Sequence, residues 1–145
     1  FRWVKLKRSL ISEVASICVT MHGCGINHRD LYINHFLVNR DHIRDWQPGH
    51  VLPLNLIDLH RVQRRSQVPH RWLIKDLASL LFSALDVGLT STDCGRYLRI
   101  YLGPDWKASL GENTKLWKTT IKRACKLYQS FHGKLPDLPA ILKIR

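Results

Sequence analysis

Apolar side chains in the first part of the chain recur at steps of three and four residues. The series is Leu6, Leu10, Val14, Ile17 and Met21. Residues on one face of an α-helix repeat with this period, and glycine is common at helix ends because it adopts positive φ angles at little cost. The pattern therefore predicts a helix over roughly residues 4–22, which Gly23 and Gly25 end.

Two apolar runs in the middle of the chain have the length of strands. The first is Phe36–Val38 and the second is Leu54–Leu59, with Asp58 inside it. The segment between them, residues 39–50, is polar and contains the turn pair Pro48-Gly49. The pattern predicts two short strands around a loop. It also predicts a buried carboxylate at Asp58, which would need a partner or a metal ion.

Beyond Pro69 the apolar positions again have helical spacing. One helix is predicted from there to about Gly88. A second is predicted from an N-cap at Thr92 to Tyr101, and a long basic helix from 113 or 114 to about Phe131. We therefore expect a single α+β domain that is mainly helical.

The net charge of the chain indicates which class of molecule it binds. The 145 residues include 23 Lys and Arg against 11 Asp and Glu, so the formal net charge is +12, while 45% of the residues are hydrophobic and can form a core. A balance this basic predicts an anionic partner: nucleic acid, a phosphorylated ligand or an acidic membrane face. No apolar run reaches the roughly 18 residues of a membrane span. The four cysteines form no CxxC pair, so reduced thiols are expected.

The candidate chemistry lies in His28-Arg29-Asp30-Leu31, after the first helix, and in Asp58, further along the chain. The sequence His-Arg-Asp-Leu before an apolar strand is the catalytic-loop signature of protein kinases. Phosphoryl transfer needs a carboxylate that orients and deprotonates the acceptor hydroxyl, and metal ions that neutralise charge on the phosphate. Two carboxylates at the ends of neighbouring short strands can face one cleft. The sequence therefore predicts a phosphotransferase.

A longer string makes this prediction more specific. MHGCGINHRDLYINHFLV, with LIDLHR and RWLIKDLASLLFSALDVGLTSTDCGRYLRIYLG downstream, resembles the lipopolysaccharide core heptose kinases of the Kdo/WaaP type, over residues from about 5 to 131. The resemblance implies the C-terminal lobe of a protein-kinase-like fold. It also implies transfer of the γ-phosphate of ATP, with Mg²⁺, to a heptose hydroxyl of the lipopolysaccharide inner core. The expected location is cytoplasmic, at the periphery of the inner membrane.

The N-terminal lobe of such a kinase is expected to be missing. No glycine-rich loop and no strand lysine of the kinase kind precede the first helix, and the chain begins at Phe1. We therefore expect a piece of a longer protein that is inactive alone. Within residues 1–145 the resemblance assigns a catalytic loop at 26–38, a metal-binding segment at 54–61, a helical remainder at 70–131 and a tail at 132–145.

The resemblance assigns catalytic and metal-binding roles residue by residue. Asp30 matches the catalytic aspartate and Asp58 the metal-binding aspartate. His35 stands five residues after Asp30, where protein kinases place an asparagine metal ligand. Mg²⁺ prefers oxygen ligands, so Asn34 is an alternative, although the alternation of a strand would turn it to the opposite face.

Further residues are expected to shape the loop and bind the acceptor. His28 and Asp76 are assigned to structuring the loop, and Tyr32 stands where protein kinases have a lysine for the γ-phosphate. Arginine grips carboxylates and phosphates through paired hydrogen bonds. The candidates for binding an anionic lipopolysaccharide acceptor are Arg29, Arg61, Arg64 and Arg65.

Blander interpretations compete with these roles. His28 and His35 can be structural histidines held by hydrogen bonds, and the basic residues of the last helix can form a solvated face. Other kinases of small molecules or proteins share the same loop. A basic nucleic-acid-binding module is an alternative from a different class, but it leaves Asp30 and Asp58 unexplained, so no nucleic acid partner is expected.

Overall fold

A computed structural model describes residues 1–143 of the chain. Within this range the α-helices are α1 (Arg2–Gly23), α2 (Arg40–Asp45), α3 (His70–Ala84), α4 (Ser91–Leu102), α5 (Trp106–Glu112) and α6 (Thr114–His132). The strands are β1 (Ile26–Asn27), β2 (Phe36–Val38), β3 (Leu54–Leu56) and β4 (Gln63–Arg64). Short 3₁₀ turns lie at Ile33–His35, Leu59–Arg61, Leu85–Val87 and Ala140–Leu142. The prediction of a mainly helical α+β fold is confirmed.

The strands form two separate antiparallel pairs. Strand β2 pairs with β3, with Leu37 opposite Asn55, as two predicted strands around a loop would do. Strand β1 pairs with β4, with Asn27 opposite Gln63. The second pairing was not predicted because strands of two residues leave no periodic pattern. Together the pairs bring the loop after β1 alongside the segment between β3 and β4.

A glycine allows the close approach next to the second pair. The Arg65 backbone N–H donates to the Gly25 carbonyl over 2.8 Å, and a Cβ on Gly25 would lie 1.8 Å from the Arg65 carbonyl oxygen. Gly25 also has a φ of +76°, whereas Gly23 has no positive φ and the helix cap at Cys24 is not left-handed. Gly25 is therefore required by the strand pairing rather than by the end of α1.

Several predicted boundaries need correction. Helix α4 starts from an N-cap at Thr90, not Thr92, because the Thr90 hydroxyl accepts from the Asp93 N–H while the Asp93 carboxylate accepts from the Thr90 N–H. The polar segment 39–50 contains the short helix α2, and α5 was not predicted. The second apolar strand ends at Leu56, before Asp58.

Three apolar clusters form the core. The first is composed of Val14, Cys18, Leu31 and Leu80, and it joins α1, α3 and the loop after β1. The second contains Leu6, Trp46 and Leu52, and the third contains Leu77, Leu98 and Trp117. Leu31 has no exposed surface, so the residue beside Asp30 anchors the loop in the core.

The cysteines are free thiols, as expected. Burial raises the pKa of Cys18 to about 12 and that of Cys94 to about 11, so both remain protonated and act as apolar packing groups. No helix within residues 1–143 combines the length and the apolar character needed to cross a membrane.

Candidate active site

The loop from His28 to His35 is held from below by the carboxylate of Asp76 in α3, which is completely buried. One oxygen accepts the Arg29 N–H over 2.8 Å and the other accepts the His28 N–H over 2.8 Å. His22 of α1 places Nε2 3.1 Å from the same oxygen as His28. A buried carboxylate is tolerated only with such partners.

The Asp76 network extends to α4 through His22. Nδ1 of His22 lies 2.6 Å from the Tyr101 hydroxyl. Burial raises the pKa of Tyr101, so its hydroxyl stays protonated and donates to Nδ1, while His22 Nε2–H donates to Asp76. Neither His22 nor Tyr101 was predicted to support the site, because only the tertiary structure brings them to Asp76.

The side chain of His28 joins the two segments of the site. Its Nδ1 accepts the Asp30 N–H over 3.3 Å, so the ring proton is on Nε2, which donates to the Ile57 carbonyl over 2.9 Å. His28 has no exposed surface. The imidazole therefore fixes the residue after β3 relative to Asp30.

His35 joins the backbone of Asp30 to the side chain of Asp58. Its Nδ1–H donates to the Asp30 carbonyl over 2.8 Å, and its Nε2 lies 3.6 Å from Oδ2 of Asp58. On the other side, His60 Nδ1 lies 2.5 Å from Oδ1 of Asp58. His60 was not singled out from the sequence, although it stands only two residues after Asp58.

Asp58 occupies a left-handed backbone conformation, with φ 62° and ψ 50°. Its side chain is 38% exposed, so the prediction of a buried strand carboxylate was wrong. A non-glycine residue with positive φ is uncommon and is found in turns and at functional sites. An exposed carboxylate at the edge of the site can still reach a cation in the cleft.

Asn34 is exposed and lies in the 3₁₀ turn Ile33–His35. The expectation that strand alternation would turn it away from His35 does not apply, since this segment is not a strand. Within the part of the chain that the structure describes, no group of three or more His, Cys, Asp or Glu side chains could hold a metal ion by itself.

The donor set nevertheless suits magnesium. Mg²⁺ usually takes one or two carboxylates and completes its shell with water and phosphate oxygens. Asp58 can supply such a carboxylate, whereas the imidazole nitrogen of His35 is the less suitable ligand for this ion.

The Asp30 side chain is 17% exposed and is paired with an arginine. Nη1 of Arg61 donates to both carboxylate oxygens over 2.9 Å. Arg61 lies at the end of the 3₁₀ turn that follows Asp58, so the ion pair directly links the two candidate segments.

The other candidate arginines lie elsewhere. Arg64 is exposed in β4, and Arg65 donates to the side-chain oxygens of Asn27 and Gln63 over 2.8 and 2.7 Å. Arg29 packs against Trp72, with 4.9 Å between its guanidinium carbon and the ring centroid. Arg65 also lies 5.9 Å from the centroid of the Trp72 ring, so Arg29 and Arg65 share this tryptophan, whereas Arg61 is held by Asp30.

The model of the lipopolysaccharide kinase (Kdo/WaaP) family matches residues 3–101, which include Asp30, Asp58 and Asp76. The chain belongs to this family. It is 43% identical over 127 residues to the lipopolysaccharide core heptose(I) kinase WaaP of Pseudomonas aeruginosa, and 45% identical over 100 residues to that of Escherichia coli K12. These matches cover 86% and 69% of the chain.

The chain spans less than half the length of these relatives, 46% of the first and 37% of the second. Among solved structures it is similar to WaaP in complex with acyl carrier protein, with a TM-score of 0.75 and 44% identity. That match covers 86% of this chain and 50% of the other. This solved structure therefore shares both the sequence and the fold of the region that it matches.

Proposed function

We propose that this chain carries the catalytic loop of an ATP-dependent kinase that phosphorylates a heptose hydroxyl of the lipopolysaccharide inner core. The observation that carries the proposal is the convergence of Asp30 and Asp58. His35 contacts the Asp30 carbonyl and faces the Asp58 carboxylate at 3.6 Å, so the two segments meet at one imidazole. A nucleic-acid-binding module would not require this arrangement.

In the proposed reaction, the oxygen of the sugar hydroxyl forms a bond to the γ-phosphorus of ATP, and ADP leaves. Asp30 accepts the proton that this hydroxyl loses. Asp58 would hold Mg²⁺, which supplies charge neutralisation on the phosphates when bound. Because Arg61 occupies both Asp30 oxygens, the acceptor must share or displace this contact. Arg61 is then placed to bind an anionic group of the acceptor.

We propose that the region corresponds to the C-terminal lobe of the kinase fold and that residues outside it supply the remaining ATP contacts. Large exposed apolar side chains on β2 and directly after Asp58 support a covering lobe: Leu37 is 46% exposed and Leu59 56%. The net charge of +12 suits a polyanionic glycolipid and a cytoplasmic position at the periphery of the inner membrane.

The experiment is phosphate transfer from γ-labelled ATP to a lipopolysaccharide core that lacks the heptose phosphate, using protein expressed from the complete reading frame. Asp30→Asn and Asp58→Asn are each expected to lower the initial rate by about 10²-fold or more, because general-base and metal catalysis are lost. Asp41→Asn, an exposed carboxylate of α2, is the matched control. Rates within about threefold of the wild type for both site variants would contradict the assigned roles.

We further infer that an acyl carrier protein is a partner of this region. Two observations support this: the likeness to WaaP in complex with acyl carrier protein, and a cavity of about 360 Å³ between α1, α3, α4 and α6. The cavity is lined almost entirely by apolar groups, among them Leu10, Val14, Leu80, Leu98 and Ile121. Its volume falls in the range of about 300–1,000 Å³ typical of ligand sites. An acyl chain has the apolar character that such a lining favours.

A further inference from the structure

Four cationic side chains surround a single tryptophan, Trp72, in the first turn of α3. The distances to the centroid of its ring are 4.9 Å from Arg29, 5.1 Å from Arg71, 5.8 Å from Lys75 and 5.9 Å from Arg65. The cations come from the catalytic loop, from the residue after β4 and from α3 itself. By contrast, among residues 1–143 Trp106 has one such neighbour, Lys107 at 5.5 Å.

Within residues 1–143 these four cations have no directly paired carboxylate. Among residues 1–143, none of the four cations forms an ion pair with an acidic side chain, and the guanidinium of Arg65 donates only to the neutral Asn27 and Gln63. Burial lowers the pKa of Lys75, and the charges of Arg61 and Arg29 lower it further against the opposing effect of Asp30. Like charges held this close repel one another unless an anion lies among them.

Two buried donors of this group also have no acceptor among residues 1–143. Nε of Arg29 and Nε1 of Trp72 are buried, and neither has a hydrogen-bond partner within the described residues. Leaving a buried N–H unpaired is unfavourable, and most such groups in folded proteins find a partner. Both donors therefore call for an oxygen-bearing ligand at the same place where the positive charge accumulates.

We propose that Trp72, Arg29, Arg65, Arg71 and Lys75 form a subsite for an anionic group, a phosphate or a carboxylate, of the glycan acceptor. The proposal rests on the proposed kinase function. Arg29 immediately precedes Asp30, and Lys75 immediately precedes Asp76, whose carboxylate holds the backbone of Arg29. An acceptor whose anionic group binds here is held at a fixed position relative to Asp30. This subsite thereby selects acceptors that carry an anionic group in addition to the one proposed to bind Arg61.

Binding is tested first with inorganic phosphate, by following the indole N–H signals of the protein in NMR spectra at constant ionic strength. The signal of Trp72, assigned through Trp72→Phe, is expected to shift to saturation. Loss of two charged donors in R71Q/K75Q should weaken phosphate binding by about tenfold or more. Lys107→Gln, which removes the cation beside Trp106, should leave it unchanged. An equal shift with chloride, or an affinity within twofold in R71Q/K75Q, overturns the subsite.

The acceptor assignment is tested by kinetics on protein from the complete reading frame. R71Q/K75Q is expected to raise the KM for the anionic acceptor by about tenfold, with kcat and the KM for ATP within twofold of the wild type. A rise in the KM for ATP alone overturns the assignment to the acceptor. If Asp30→Asn abolishes transfer while R71Q/K75Q changes nothing, the subsite is wrong and the kinase function stands. Phosphate binding at Trp72 in a wild-type protein that transfers no phosphate to the core acceptor would leave an anion site, but the kinase function and the acceptor role would then both fail.

Discussion

At the scale of single residues, the geometry of the site depends on groups that contact the backbone of the loop as well as on the candidate carboxylates. Asp76, which is completely buried, accepts two loop N–H groups and faces His22. Arg29 has a φ of +77°, a conformation that a non-glycine residue keeps only when its surroundings hold it. Asp76 supplies that restraint for the residue next to Asp30.

Asp76→Ala should therefore destabilise the protein strongly. It leaves the N–H groups of His28 and Arg29 buried without an acceptor, at about 1–3 kcal/mol each, so a loss of roughly 2–6 kcal/mol in the free energy of unfolding is expected. Urea denaturation followed by circular dichroism measures it. Asp137→Ala, at a fully exposed carboxylate, serves as the control and should change stability by less than about 0.5 kcal/mol. A loss below about 1 kcal/mol for Asp76→Ala would show that the loop keeps its conformation without this carboxylate.

The residues of the candidate site were accessible to sequence analysis to different degrees. Asp30, Asp58 and Asp76 could be assigned because each lies in a contiguous motif of the family. The ion pair between Arg61 and Asp30, and the group around Trp72, could not be assigned, because they join segments more than 30 residues apart whose distance only folding sets.

At the scale of elements, α4 is fixed at its start by a reciprocal cap and by an ion pair to α1. Asp93 accepts the Thr90 N–H and lies 2.6 Å from the Lys7 ammonium. Burial would raise the pKa of Asp93, but the hydrogen bonds from Lys7 and Thr90 outweigh it, and the net effect lowers that pKa. The charged carboxylate thus couples the first helix of the chain to the fourth.

This coupling gives stability a defined dependence on pH. Because the pKa of Asp93 is lower in the folded state, its contribution is present above the unfolded value of about 3.9 and is lost as the pH falls through the folded value. The difference in unfolding free energy between the wild type and Asp93→Asn should be constant between about pH 5 and 7 and shrink below about pH 4. Urea titrations across this range measure it, with Asp41→Asn as the exposed control. A difference that does not change with pH would contradict the role of the charge.

The sequence predicted the long helices correctly and missed the shortest elements. Helices α1, α3 and α6 each contain several turns, so their apolar stripes are visible in the sequence. Helices α2 and α5 have six and seven residues, too few to display a period. Strands β1 and β4 have two residues each, and their pairing is set by the approach of Gly25 to Arg65.

At the scale of the whole molecule, the four longest helices enclose an apolar cavity instead of closing fully on one another. Protein interiors are normally packed without voids of this size. An apolar void of this size is consistent with the proposed partner, an acyl carrier protein, whose acyl chain would fill it.

Filling the cavity should weaken binding of an acylated partner selectively. Ala84 and Cys94 line the cavity. Ala84→Leu or Cys94→Leu would each take the space of about two methylene groups of a bound acyl chain. At about 0.8 kcal/mol for each methylene group, we expect Kd to rise roughly tenfold. Calorimetric titration with acylated and unacylated acyl carrier protein measures the effect. The unacylated form should bind both variants and the wild type equally. Val51→Leu, outside the cavity, is the control; equal affinity of the wild type for both forms of the carrier would exclude the acyl pocket.

The sequence by itself determined the family, the long helices, the β2–β3 pair and the three aspartates, because each is written in a local pattern of spacing or in a contiguous motif. Only the tertiary structure decided that Arg61 covers Asp30, that Asp58 is exposed in a left-handed turn, and that four cations meet at Trp72. These features depend on distances between segments far apart in the chain. Such distances follow from the packing of α1, α3, α4 and α6 around the core, and no single segment encodes them.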